Sequence, residues 1–70
     1  MKMEFVQQRL QEWGEVMITT DGGQTFELHL GDTEFDLKER VIRLQTPTGI
    51  FFIPGDGVEV IQQHYGHPVE

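Results

Sequence analysis

The chain has 70 residues, no cysteine and a formal net charge of −7 at pH 7. A chain of this length forms one domain with a thin core, and the lack of cysteine excludes disulfides and Cys-based zinc sites. The acidic balance works against nucleic-acid binding, because that affinity comes largely from Lys and Arg contacts to phosphates. No segment approaches the ~20 apolar residues of a membrane-spanning helix, and the first residues lack a signal-peptide pattern. We expect one cytoplasmic domain over residues 1–70.

The first segment has the apolar period of an α-helix. Its apolar residues recur at steps of three and four: Met3, Val6, Leu10 and Trp13. This spacing places them on one face of a helix. Gly14 stands where a residue of left-handed conformation would end that helix. The pattern predicts a helix over about residues 3–13.

After Gly14 the apolar period falls to two, which is typical of strands with one buried face. Turn sequences at 21–23, 31–33, 47–49 and 54–57 divide this region. They predict antiparallel strands over about residues 15–62 and a tail at 63–70. The predicted inward positions are Val16, Ile18, Phe26, Leu28, Leu30, Phe35, Leu37, Ile42, Leu44, Val58 and Val60. The sequence therefore predicts a mainly β fold with an N-terminal helix. Its sheet is a small five- to six-stranded antiparallel barrel, or a strongly bent sheet, capped by the helix.

The segment Ile50–Ile61, which reads IFFIPGDGVEVI, is similar to the closing motif of the Sm-like fold. In that family an apolar strand, a short Gly-containing turn and a Val/Ile-rich strand follow one another, and the order of helix and strands also resembles this chain. The resemblance implies assembly into rings through the last two strands. The family contacts RNA bases through an Asp and an Asn after its third strand, whereas this chain contains no Asn. The resemblance therefore implies ring formation rather than RNA binding.

The run from Ile50 to Ile53 is apolar on both faces of a strand. If Ile50 and Phe52 fill the core, Phe51 and Ile53 need a second cover, either the helix or a partner subunit. Burying two such side chains contributes roughly 3–6 kcal/mol, a large share of the stability of a small domain. We predict a non-enzymatic interaction module that forms a homo-oligomer through the hairpin at 49–61. The predicted interface residues are Phe51, Ile53, Val58 and Val60.

Two other functions stay open. Lys38, Arg40 and Arg43 form a local cluster of cations, which together with aromatic stacking would let a Sm-like relative bind single-stranded nucleic acid. His64 and His67 lie three residues apart, a spacing at which two imidazoles on a helical turn can share a metal ion. The further ligands of such a site would be drawn from His29, Glu59 or Glu70.

The sequence gives little support to an enzyme. The chain contains neither Ser nor Cys, so the common acyl-transfer nucleophiles are missing. The carboxylates in the middle of the chain alternate with apolar positions, as on the wet face of a sheet: Glu27, Asp32, Glu34, Asp36 and Glu39. Their spacing does not match a twelve-residue calcium loop. We expect no catalytic residues and no cofactor.

Overall fold

The computed structural model describes residues 1–63, in which one helix is followed by six strands. The elements are α1 (Met3–Trp13), β1 (Glu15–Thr20), β2 (Thr25–His29), β3 (Thr33–Asp36), β4 (Val41–Thr46), β5 (Gly49–Pro54), a single 3₁₀ turn (Gly55–Gly57) and β6 (Val58–Gln63). The fold is mainly β with one N-terminal helix. Within residues 1–63, no helix has the length and apolar character needed to span a membrane.

Both ends of α1 are fixed by specific hydrogen bonds. At its C-terminus Gly14 takes a left-handed conformation (φ 86°) and its N–H donates to the carbonyl of Leu10 at 2.8 Å, which stops the helix as the sequence predicts. At its N-terminus the N–H of Met3 donates to Oδ1 of Asp56 at 3.1 Å. A distant carboxylate therefore satisfies one of the free N–H groups at the positive end of the helix.

The strands form two three-stranded antiparallel sheets, in the orders β2–β1–β6 and β3–β4–β5. The barrel considered from the sequence is therefore wrong, because the two sheets do not close on one another. The interruption lies between β2 and β3, where the backbone N–H of His29 donates to Oδ1 of Asp32 at 2.9 Å. This local bond belongs to the turn at residues 30–32, which separates β2 from β3.

The core lies where α1 and the two sheets meet, and all of its members are apolar. Its buried residues are Met3, Val6, Leu10, Val16, Ile18, Leu28, Ile42, Leu44, Ile53 and Val58. Trp13, Phe26, Phe35 and Ile61 pack against this cluster while partly exposed. Two predicted inward residues, Leu30 and Leu37, are exposed instead. Both follow the end of a strand and lie in turns, where the alternation of faces no longer applies.

The face of β5 that points to the core is the opposite of the one considered in the sequence analysis. The β4–β5 register pairs Leu44 with Phe51 and Ile42 with Ile53. Residues directly opposite each other in a sheet share a face, so Phe51 and Ile53 lie on the side of the buried Ile42 and Leu44. Phe52 points outward, opposite Arg43.

A register irregularity separates the two valines of β6 that the alternation placed on one face. Val58 pairs with Thr20 and Val60 with Thr19, so Glu59 is an extra residue in this strand. Such a bulge changes which face the following residues occupy. Val58 is consequently buried, whereas Val60 is half exposed.

Candidate interaction surface

Strand β5 is an edge strand of its sheet and differs from the other edge strands in composition. The edge strands within residues 1–63 are β2 and β6 in one sheet and β3 and β5 in the other. Strand β5 reads GIFFIP and contains no charged residue, whereas β2, β3 and β6 each contain at least one carboxylate. Charged side chains on edges normally prevent one sheet from pairing with another. The β5 edge lacks that protection.

Apolar side chains are exposed along both faces of β5. Phe52 is 68% exposed, Ile50 46% and Phe51 42%, while Ile53 is only 3% exposed. Monomeric proteins expose single apolar side chains routinely, but a contiguous apolar group more often marks a contact with another molecule. We call Ile50, Phe51 and Phe52 the β5 patch.

Two grooves flank the β5 patch, and Phe52 lines both of them. The first, of about 320 Å³, lies between the sheets and is also lined by Phe26, Phe51 and Pro54. The second, of about 720 Å³, is wider and runs over the outer face of β3 and β4. The side chain of Phe52 therefore projects between the two grooves, and another chain can contact it from either side.

The structure divides the four predicted interface residues into two pairs. Phe51 and Val60 are partly exposed, whereas Ile53 and Val58 are buried in the chain's own core. Because Ile53 and Val58 have almost no accessible surface, we do not include them in the interface considered below. Phe52, the most exposed member of the β5 patch, lies outside the core that the alternative with Ile50 and Phe52 inward predicts. The outward position of Phe52 could have been predicted from the two-residue turn at 47–48. The length of this turn sets the β4–β5 register and therefore the face on which each β5 residue lies.

Two of the three predicted nucleic-acid contacts are engaged in ion pairs. Arg40 donates through Nη2 to Oε1 of Glu4 at 2.8 Å and to Oδ1 of Asp56 at 2.7 Å. Arg43 donates to Oε1 of Glu34 at 3.0 Å. Their charges are largely compensated before any phosphate could bind.

The ion pairs of Arg40 change the titration of both carboxylates. The pKa of Glu4 is lowered from its ordinary value of 4.5 to about 2, mainly by hydrogen bonds from Arg40 and to a lesser degree by a backbone hydrogen bond at Glu4. Hydrogen bonds from Arg40 and then from the N–H of Met3 lower the pKa of Asp56 to about 2. Because α1, the 3₁₀ turn and the residue before β4 meet here, this cluster fastens the helix to the sheet.

His64 and His67, the candidate ligands of the alternative metal-binding function, lie outside the described residues. Within residues 1–63 the imidazole of His29 lies beside carboxylates of Glu15, Glu27 and Asp32. Partial burial acts to lower the pKa of His29, but the hydrogen bond to Asp32 and the three negative charges outweigh it and raise the pKa. The sequence pattern predicts Glu27 and Asp32 on a wet sheet face, and it does not bring them and Glu15 to one imidazole.

No protein-family model, curated protein or solved structure matches this chain.

Proposed function

We propose that the chain is a non-enzymatic interaction module that binds a second copy of itself along β5. The observation that carries the proposal is an uncharged edge strand with two phenylalanines, Phe51 and Phe52, that are 42% and 68% exposed. An unpaired strand edge presents N–H and C=O groups that another strand can bind. Apolar side chains on both faces would then add burial to that pairing.

The other edge strands carry features that discourage the same contact. Glu27 lies within β2, Glu34 and Asp36 within β3, and Glu59 at the bulge of β6. If one of these edges paired with the same edge of a second copy, its carboxylates would lie close to like charges. In β5 only Pro54 interferes, and it lies at the last position of the strand, where the loss of one N–H leaves the remainder of the edge available.

Strand β6 of a second copy is the partner that best fits the β5 edge, because its one carboxylate, Glu59, would meet no like charge in β5. Both strands have six residues, which span about 20 Å, and Val60 of β6 is half exposed. Because β5 and β6 are edges of different sheets, the contact joins two different surfaces and leaves a free edge at each end. Such a contact propagates into a closed ring or an open chain. Ring formation is also what the Sm-like resemblance implies.

The expected affinity is moderate. Full burial of a phenylalanine contributes about 1.5–3 kcal/mol, and both rings of the β5 patch are already partly covered by their own chain. Association costs at least about 4 kcal/mol of translational and rotational freedom. Burial of these two rings alone therefore falls short of this cost, and the other apolar contacts and the hydrogen bonds of the added strand must supply the remaining free energy. We expect assembly at micromolar rather than nanomolar concentrations.

Phe52→Glu tests the proposal with little risk to the fold, because the side chain points outward and is mostly exposed. Leu30→Glu is a matched control: it also introduces a glutamate at an exposed apolar residue, which is 56% exposed and lies in the turn between β2 and β3. Size-exclusion chromatography with light scattering should show assemblies for the wild type and Leu30→Glu, and monomer for Phe52→Glu. If all three proteins have the mass of one chain at high micromolar concentration, the proposal is wrong.

Single-stranded nucleic acid gains less support as a partner, because Arg40 and Arg43 are paired with carboxylates of their own chain. We therefore expect a flat fluorescence-anisotropy titration with labelled single-stranded RNA at low salt. Binding that weakened steeply with added salt would instead favour the nucleic-acid function.

A further inference from the structure

One imidazole and three carboxylates meet on the outer face of the β2–β1–β6 sheet, at the end where β2 leaves it. His29 pairs directly with Glu15 across the β1–β2 ladder. Glu27 lies two residues before His29 and so shares its face. Asp32 follows in the turn after β2. The strand register therefore brings together groups from β1, from β2 and from the turn.

The distances in this cluster fit three ligands around one small cation. Nε2 of His29 lies 2.9 Å from Oε1 of Glu27 and 3.1 Å from Oε2 of Glu15, and the three ligand atoms all lie within 4.8 Å of one another. Zinc binds such atoms at about 2.1 Å, so neighbouring ligands of a tetrahedral site are about 3.4 Å apart. The two nitrogen–oxygen separations need to lengthen by only about 0.3–0.5 Å to admit the ion.

A proton on His29 fits the same cluster less well than a metal ion, because it cannot bond fully to both glutamates. The Nε2 atom of an imidazole carries at most one hydrogen, yet two carboxylate oxygens lie within hydrogen-bond distance of it. Even with His29 protonated, the three carboxylates leave a formal charge of −2 on the cluster. A divalent cation would replace the proton on Nε2, would contact both Glu15 and Glu27, and would reduce the formal charge of the cluster to −1.

Asp32 occupies the position of a residue that orients a metal-binding imidazole. Its Oδ2 lies 3.1 Å from Nδ1 of His29, and its Oδ1 accepts the backbone N–H of His29 at 2.9 Å and the hydroxyl of Thr33 at 2.7 Å. Both carboxylate oxygens are thus used within the turn. The contact at Nδ1 fixes the ring so that Nε2 faces Glu15 and Glu27, the arrangement in which a carboxylate supports a metal-ligating histidine. This orientation distinguishes the cluster from a group of surface acids.

We propose that Glu15, Glu27 and His29 bind a divalent transition-metal ion, with zinc as the best match, and that Asp32 is a positioning residue for His29. The imidazole favours zinc and its neighbours in the first transition row over magnesium and calcium, which prefer oxygen ligands only. Three protein ligands leave a fourth position for water. Since the ligands belong to β1 and β2, the ion would cross-link the two strands and stabilise the folded chain.

Isothermal titration calorimetry of the untagged protein with zinc chloride tests the proposal. The chain has three histidines, so the matched comparison is His29→Gln against the double variant His64→Gln/His67→Gln. We expect one zinc per chain in the wild type and in the double variant, and a loss of affinity of at least about tenfold in His29→Gln. Glu27→Gln should weaken zinc in the same way, which provides a second variant if His29→Gln folds poorly. Magnesium and calcium should not compete.

The role of Asp32 is tested by Asp32→Asn, for which we expect zinc affinity to fall by about 10–100-fold. In the wild type, zinc should shift the ¹⁵N resonance of His29 Nε2 strongly and that of Nδ1 little, and Asp32→Asn should remove this selectivity. Absence of zinc binding at micromolar concentrations would overturn the proposal. Binding that survives His29→Gln but is lost in the His64/His67 double variant would also overturn it, because the ligands would then lie in the tail.

Discussion

The ring of Phe51 lies 5.3 Å from the ring of Phe26 at an interplanar angle of 59°. This contact joins β5 of one sheet to β2 of the other, although no strand ladder connects the two sheets. Phe51 therefore has two roles: one part of its surface supports the monomer, and the part that remains exposed belongs to the β5 patch.

A double-mutant cycle measures the first of these roles. Phe26→Leu and Phe51→Leu should each lower the free energy of unfolding, and the two effects should be coupled by about 0.5–1.5 kcal/mol because the tilted ring pair is lost in either variant. Urea unfolding should be followed in a Phe52→Glu background, so that association does not contribute. Additive effects would show that the rings are neighbours without a specific interaction.

The Arg40 cluster makes the stability of the chain depend on acid pH. The pKa values of Glu4 and Asp56 are lowered to about 2 in the folded chain and return to their ordinary values on unfolding. Their contribution is therefore complete above the unfolded pKa values and is lost as the pH falls toward the folded ones. We expect the unfolding temperature to decrease between about pH 5 and pH 2. Arg40→Gln should flatten this decrease, whereas Lys38→Gln should leave it in place.

The Gly55→Ala variant tests how tightly the chain is packed in the same region. Gly55 is buried, and an added Cβ would lie 2.9 Å from the carbonyl oxygen of Arg40 and would press on the side chain of Met3. Because the backbone oxygen cannot move away alone, we expect a loss of about 1–3 kcal/mol. Gly31→Ala is the control, since nothing lies within 4 Å of its added Cβ. Equal denaturation midpoints for the two variants would contradict the packing described here.

The helix and the positions of the strands could be predicted from sequence because they depend on local patterns. The apolar stripe of α1 and its stop at Gly14 are contained in fourteen consecutive residues. The strands are bounded by Gly, Pro and Asp turns, which act over three or four residues. Non-local outcomes were less accessible, because the period of apolar residues does not record that β2 and β3 belong to different sheets.

The faces of β5 and β6 show why alternation alone was insufficient. In β5 every position from 50 to 53 is apolar, so the sequence pattern does not indicate which residues face the core. Only the register with β4 determines this. In β6 the bulge at Glu59 reverses the phase after Val58. The cluster around His29 was missed for a related reason, because Glu15 and His29 become neighbours only through the β1–β2 register.

The most direct test of self-association through β5 combines sedimentation equilibrium with amide hydrogen exchange of the wild-type chain over a range of concentrations. The average mass should rise above that of one chain at micromolar concentration, and the β5 amides that do not bond β4 should become protected over the same range. A mass of one chain throughout, with these amides exchanging at a constant fast rate, would contradict the proposal that β5 binds a second copy.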